Sequence, residues 1–210
     1  KKAAEKWNKR IERYMRKTKE TGNMREKVML PKGVDHSEWV AENLIDFVND
    51  VSYVYSLCSE DAKRFQKPGA GFPPGCRYIW LETSEGASEP TPLSLSSPDY
   101  CLKVLQWIES VIADDSVFPE NHDHPFPPDF ADVSRKILNR IFRVYAIIYH
   151  VHFDVVEEQE ADLLLNTSFK HLMFFMFEFD LLDDKETKSL KDGVERLRNE
   201  YLLTPCSLGI

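Results

Sequence analysis

Apolar positions recur with a helical period along most of the chain, most sharply over Asp129–Asp154. There Val133, Ile137, Ile141, Val144, Ile148 and Val151 fall three or four residues apart, which gathers them on one face of a helix. Lys136, Arg140 and Arg143 recur at the same spacing on another face, with Asn139 beside them. Asp129 follows Pro127-Pro128 and is placed to cap the helix; Asp132 lies in the first turn, where a carboxylate suits the dipole. A stripe this apolar needs helices packed around it, so the segment is expected to be the central helix of an α-helical domain. The basic stripe has two readings, a solvated flank or an anion-binding edge, since two arginines one turn apart can grip a phosphate with forked hydrogen bonds.

The same pattern predicts the other elements. Lys1–Glu20 reads as a basic amphipathic helix with Trp7, Ile11, Tyr14 and Met15 on a narrow apolar face, suited to a membrane surface or an acidic protein. Thr21-Gly22-Asn23 breaks it. Asp35 or Ser37 caps a helix running to about Ser59. Lys67–Pro98 is irregular and rich in Pro, Gly and Ser, with one strand at Arg77–Leu81 and a hairpin partner near Thr91–Leu95. A helix from Pro98 to about Asp114 is expected to bury Leu102, Leu105, Trp107, Ile108 and Val111. Asn166-Thr167 is placed to cap a further helix with a very apolar face from Phe169 to Phe179, and a last helix spans Lys185–Tyr201. This divides the chain into a basic arm (1–21), a helical domain (22–201) and a tail (202–210).

Charge sharpens the picture. Residues 1–29 hold eleven Lys or Arg against four Glu, a net of +7; with the whole chain at −8, the remainder carries −15. An acidic body argues against nucleic acid and favours a basic protein partner. Glu38, Glu42 and Asp46 lie four residues apart on one helix face, and no Lys or Arg occurs between Gly33 and Ala62 to neutralise them. This ridge beside Trp39 is a candidate docking surface. No apolar run is long enough to span a membrane, and the first residues lack a hydrophobic signal core. The four scattered cysteines are most simply free thiols.

Catalytic chemistry is hard to find. His150 and His152 stand about 200° apart around a helix, so they cannot share a metal. There is no HExxH, no GxSxG, no Walker sequence and no Cys–His–acid grouping. A binding module is the expectation. Thr18, after Arg16-Lys17, and Thr21 are candidate phosphorylation sites, where added charge would weaken the basic arm if it covers the acidic ridge.

Four strings together carry a family resemblance: GNMREKVMLPKGVDHSEWVAENLIDFVNDV, VFPENHDHPFPPDF, ILNRIFRVYAIIYHVHFD and LLNTSFKHLMFFMFEFDLLD. They resemble the Mob (Mps-one-binder) kinase coactivators, most of all the subgroup acting in mitotic exit and Hippo signalling, from about Gly22 to about Leu197. The resemblance implies a mainly α fold, a Mob-type domain built around a four-helix bundle with a small β-hairpin and Pro-rich loops. It implies a noncatalytic protein that binds the basic N-terminal region of an NDR/LATS-type kinase and promotes its activation, in the cytoplasm, the nucleus or at the spindle pole or division site. Glu38, Trp39 and Asp46 match the family's kinase-contact positions; Val34 replaces an acid and Glu42 a small apolar residue. Arg140 and Arg143 match a pocket that reads phosphorylated linkers of an upstream Ste20-type kinase, with Asn139 in place of a lysine and Lys136 as a substitute cation.

Many members of that family also hold a structural zinc with C-x4-C and H-x4-H. The matching positions here are Ala62, Lys67, Ile147 and His152, and neither Cys58 nor Cys76 falls on a ligand position. One imidazole does not hold a structural zinc, so packing is expected to replace the metal and no cofactor is expected.

Overall fold

The computed structural model describes residues 14–16, 18, 22–82, 89–120 and 124–206. Its helices are α1 (Met24–Val28), α2 (His36–Ser56), α3 (Ser59–Ala62), α4 (Ser97–Ile112), α5 (Phe130–Ile147), α6 (Phe153–Glu158), α7 (Asp162–Glu178) and α8 (Lys191–Leu203). Strands β1 (Trp80–Glu82) and β2 (Thr91–Leu93) form an antiparallel hairpin with Trp80 opposite Leu93 and Glu82 opposite Thr91. The strand thus begins three residues later than its apolar run suggests.

The bundle is built from α2, α4, α5 and α7, with α8 packed along α7. The stripe is buried from Ile137 to Ile148, with Val133 and Val151 half-buried, and the ends of α5 differ from expectation. Asp129 makes no side-chain cap bond, and beyond Ile147 the helix widens into a π turn (Ile148–His152) before continuing as α6. Along α7 nearly every residue from Leu165 to Met176 is buried, so α5 and α7 share the centre. Phe169 lies against Phe142, Tyr145 and Tyr149 at centroid distances of 5.2–5.9 Å, and each such ring contributes about 1.5–3 kcal/mol of burial.

Asn166 and Thr167 are not caps, because α7 begins at Asp162. Asn166 is buried and cross-links the core: Tyr149 donates its hydroxyl to Asn166 Oδ1 (2.9 Å), and Asn166 Nδ2 donates to the Tyr14 carbonyl (2.7 Å). On α4 the inward face is Tyr100, Cys101, Val104 and Ile108, while Leu102 is exposed; Leu105, Trp107 and Val111 are half-buried. The last helix is preceded by a 3-10 turn, Glu186–Leu190, and runs on to Leu203.

Both ends are tied in further than the arm and tail division implies. Met15 is buried under α8, where Arg196 Nη2 donates to its carbonyl (2.9 Å), and Tyr14 stacks on Phe153 at 3.9 Å. Arg25 Nη1 and Asn23 Nδ2 donate to the carbonyls of Thr204 (2.8 Å) and Pro205 (2.7 Å).

Candidate functional site

The acidic ridge is set by the start of α2. Asp35 accepts hydrogen bonds from the amides of Ser37 (2.8 Å) and Glu38 (3.2 Å), which fixes where the helix begins and hence which way its residues face. Glu38, Glu42 and Asp46 then stand exposed on successive turns. Glu42 and Asp46 form no ion pair among the described residues. The local field is felt one turn on, where burial and then the Asp46 carboxylate raise the pKa of Asp50. Trp39 is half-buried, and its indole donates to the Val28 carbonyl (3.1 Å), seating α2 on the end of α1. It supports the ridge rather than standing free on it. Beside the ridge runs a groove of about 820 Å³ whose walls include Ala41, Ile45, Ile112, Phe118, Pro119 and Phe126, with Glu38 and Glu42 on its rim.

The basic stripe of α5 is less free than its spacing suggests. Arg140 lies between the rings of Trp80 (4.4 Å) and Trp107 (4.0 Å), and burial lowers its pKa. Its Nη1 is shielded from solvent and has no hydrogen-bond partner among the described residues. Arg143 Nε donates to Glu186 Oε2 (2.8 Å), Nη2 to Oε1, and Nη1 to the Tyr100 hydroxyl (3.1 Å). Burial opposes its charge, yet Glu186 and Tyr100 more than offset this and raise its pKa. Lys136 is exposed one turn before Arg140. Asn139 is buried and fully engaged: Nδ2 donates to the carbonyls of Arg135 (2.8 Å) and Leu181 (3.0 Å), and Oδ1 accepts from the Asp183 amide (3.0 Å). It holds the loop after α7, where Asp180 adopts a left-handed conformation (φ 51°) to end the helix.

Beyond the end of α5, the imidazoles of the π turn face different partners. His150 Nε2 donates to the Ser189 carbonyl (2.5 Å), whereas His152 Nδ1 meets Asp61 Oδ2 (2.7 Å). Since a carboxylate only accepts, His152 carries its proton on Nδ1, with Nε2 shielded and without a partner among the described residues; burial lowers its pKa, and Asp61 counters this. Arg64 pairs with Asp61 (3.0 Å) and donates to the Val151 carbonyl (3.1 Å).

Comparison with known proteins settles the family. Residues 16–190 match the model of the Mob1/phocein family. The chain is 36% identical to MOB kinase activator-like 1A of Arabidopsis thaliana over 191 residues, covering 91% of this chain and 87% of that protein. It is 38% identical to MOB kinase activator-like 2A of the same plant, covering 85% and 81%, and 34% identical to MOB kinase activator-like 1 homolog B of Dictyostelium discoideum, covering 89% and 85%. The chain belongs to the Mob1/phocein family.

Mob kinase activators are noncatalytic, and so is this protein. The mainly helical fold with its two-stranded hairpin is the Mob domain. No helix among the described residues is long and apolar enough to cross a membrane. The four positions that the resemblance matches to a family zinc carry side chains that do not fit a tetrahedral metal. Ala62 and Ile147 are buried apolar side chains, Lys67 is exposed, and His152 is bonded to Asp61. Among the described residues no group of three or more His, Cys, Asp or Glu could hold a metal ion.

Thr18 is half-buried, and Thr21 lies outside the described residues, as do 1–13. The described end of the arm packs on the start of α7, through the Asn166 bond. Because α7 runs antiparallel to α2, with His36 against Phe179 and Phe47 against His171, this is the end of α2 remote from Glu38. The groove, the Glu186 carboxylate and the Asp61–His152 bond were not visible in the sequence pattern. The only local sign of the groove is the clustering of Phe118-Pro119 and Pro125-Phe126 ahead of α5.

Proposed function

We propose that this Mob protein is a noncatalytic adaptor and coactivator that binds the basic N-terminal regulatory region of an NDR/LATS-type protein kinase, in mitotic-exit or Hippo-type signalling. The observation that supports this best is the ridge itself: Glu38, Glu42 and Asp46 exposed in line on α2, above an apolar groove. Lysines and arginines of the kinase segment meet the carboxylates, and its apolar side chains enter the groove. Holding that segment in one conformation activates the kinase only if the active state binds more tightly, as a population shift requires. Kinase activity measured with and without the protein tests this. A severalfold stimulation is expected, and binding without stimulation would leave a scaffold role alone.

The second reading is a phosphopeptide-binding edge at Arg140 and Arg143, with Lys136 as an outer cation, taking a phosphorylated linker of an upstream Ste20-type kinase. It is favoured by the partnerless Nη1 of Arg140. Asn139 contributes by positioning the neighbouring loop, since its amide has no free group to offer an anion.

We also propose that packing and the Asp61–His152 bond stand in place of the family's zinc. Chelation is expected to leave the melting temperature unchanged, with no stoichiometric zinc in the purified protein by metal analysis. Asp61→Ala orphans a buried imidazole N–H and should cost about 1–3 kcal/mol, about 5 °C in thermal denaturation for a chain of this size.

A further inference from the structure

The carboxylate of Glu186 occupies Arg143 in the way a bound ligand would: it is only 12% exposed and takes two parallel hydrogen bonds from the guanidinium. Its seat is built from two directions. Asn139 pins the loop after α7 through Leu181 and Asp183, and the 3-10 turn that Glu186 begins is anchored by Leu190 in the core. Arg143 itself is fixed by Tyr100 and lies against the Tyr78 ring (5.2 Å). One helical turn away, Arg140 keeps an unpartnered Nη1 between its two tryptophans. The edge therefore presents one guanidinium already matched by an internal anion and one that is not.

The geometry points to Glu186 as a specificity-determining residue, a resident carboxylate that closes the Arg140–Arg143 edge to monoanions and yields it to the phosphoryl group of a phosphopeptide. This rests on the phosphopeptide reading given above. A tethered carboxylate competes at the high effective concentration of an intramolecular group. A glutamate or aspartate from another chain offers Arg143 the same chemistry and gains nothing by exchange. A phosphothreonine carries nearly two negative charges and three acceptor oxygens, so it can take the Arg143 fork and draw on the charges of Arg140 and Lys136 together. Glu186 swings out by side-chain rotation while the turn stays anchored.

The test uses the full chain and three fluorescent peptide pools, randomised around one fixed position that holds threonine, glutamate or phosphothreonine. Anisotropy is expected to show the wild type preferring the phosphothreonine pool to the glutamate pool by about tenfold or more. Glu186→Gln, which keeps a neutral hydrogen-bonding group, should tighten both acidic pools, the glutamate pool most, and so narrow the preference. Glu186→Ala gives the same direction should the Gln variant fold poorly, and melting curves report that. Unchanged or weaker binding by these variants, with the phosphothreonine pool still bound by the wild type, overturns the role of Glu186 and leaves the phosphopeptide reading standing. No binding of the phosphothreonine pool by any variant, Glu186→Gln included, overturns both.

Discussion

Reversing the ridge with Glu38→Lys, Glu42→Lys and Asp46→Lys together is expected to weaken capture of a basic NDR/LATS-type regulatory segment by about 100-fold or more, with little loss of stability. Each exposed pair contributes roughly 0.2–1 kcal/mol, and reversal replaces each attraction with a repulsion of similar size. Over the ridge this amounts to about 3 kcal/mol, or roughly two orders of magnitude in affinity. The fold should tolerate the change because the cap residue Asp35 is untouched, the three side chains are exposed, and Glu42 and Asp46 have no ion pair among the described residues. The three lysines repel one another at the same four-residue spacing as the carboxylates did, so the one added cost is the loss of Glu38 near the positive end of α2, a few tenths to about 1 kcal/mol. Anisotropy titrations at two salt concentrations, with a melting curve for each protein, check the prediction. Wild-type affinity should fall steeply with salt, and that dependence should reverse in the triple variant, whose repulsion of the basic segment salt screens. Equal affinity for the two proteins would place the kinase segment on some other surface.

The ridge was legible in the sequence because everything that makes it is local. A cap, a helical period and a four-residue spacing all act within α2, and burial of its opposite face follows from Leu44, Phe47, Val48 and Val51. The stripe on α5 was legible for the same reason. The state of its arginines was not, because Glu186 lies 43 residues away and reaches Arg143 only through the loop that Asn139 holds. Period alone also misjudged α4: Leu102 is apolar yet exposed, while Tyr100 turns inward, where its hydroxyl accepts from Arg143. The same blindness made Asn166 look like a cap. A polar residue amid apolar neighbours is read as a boundary, but here it satisfies two buried groups that no local pattern names. Contacts that close a site at long range depend on tertiary placement, and tertiary placement is what periodicity leaves open.

Acid should unfold the protein well before most of its carboxylates are protonated, because three imidazoles, two buried and one half-buried, are held uncharged in the fold. Burial lowers the pKa of His150, His152 and His171. In His171, packed edge-on against Phe47 at 4.9 Å, burial together with the nearby Lys27 lowers it from 6.5 to about 4. The unfolded chain therefore binds more protons than the folded one between these values, so stability is intact above about pH 6.5 and is lost as pH falls towards 4. His171 alone accounts for about 3 kcal/mol across that window, and the other two act in the same direction. The hydrogen bonds of His150 to Ser189 and of His152 to Asp61 favour the charged imidazole and soften their share. Asp50, whose pKa is raised, takes up a proton more readily in the folded state and opposes the trend at the acid end. Denaturant titrations between pH 7.5 and 4.5 should show unfolding free energy falling by more than about 1.4 kcal/mol per pH unit near pH 5.5, the signature of more than one excess proton in the unfolded state. His171→Leu should reduce that slope by close to one proton whatever it does to stability at neutral pH. A slope the substitution leaves unchanged would mean that His171 is protonated in the fold and that the acid sensitivity arises elsewhere.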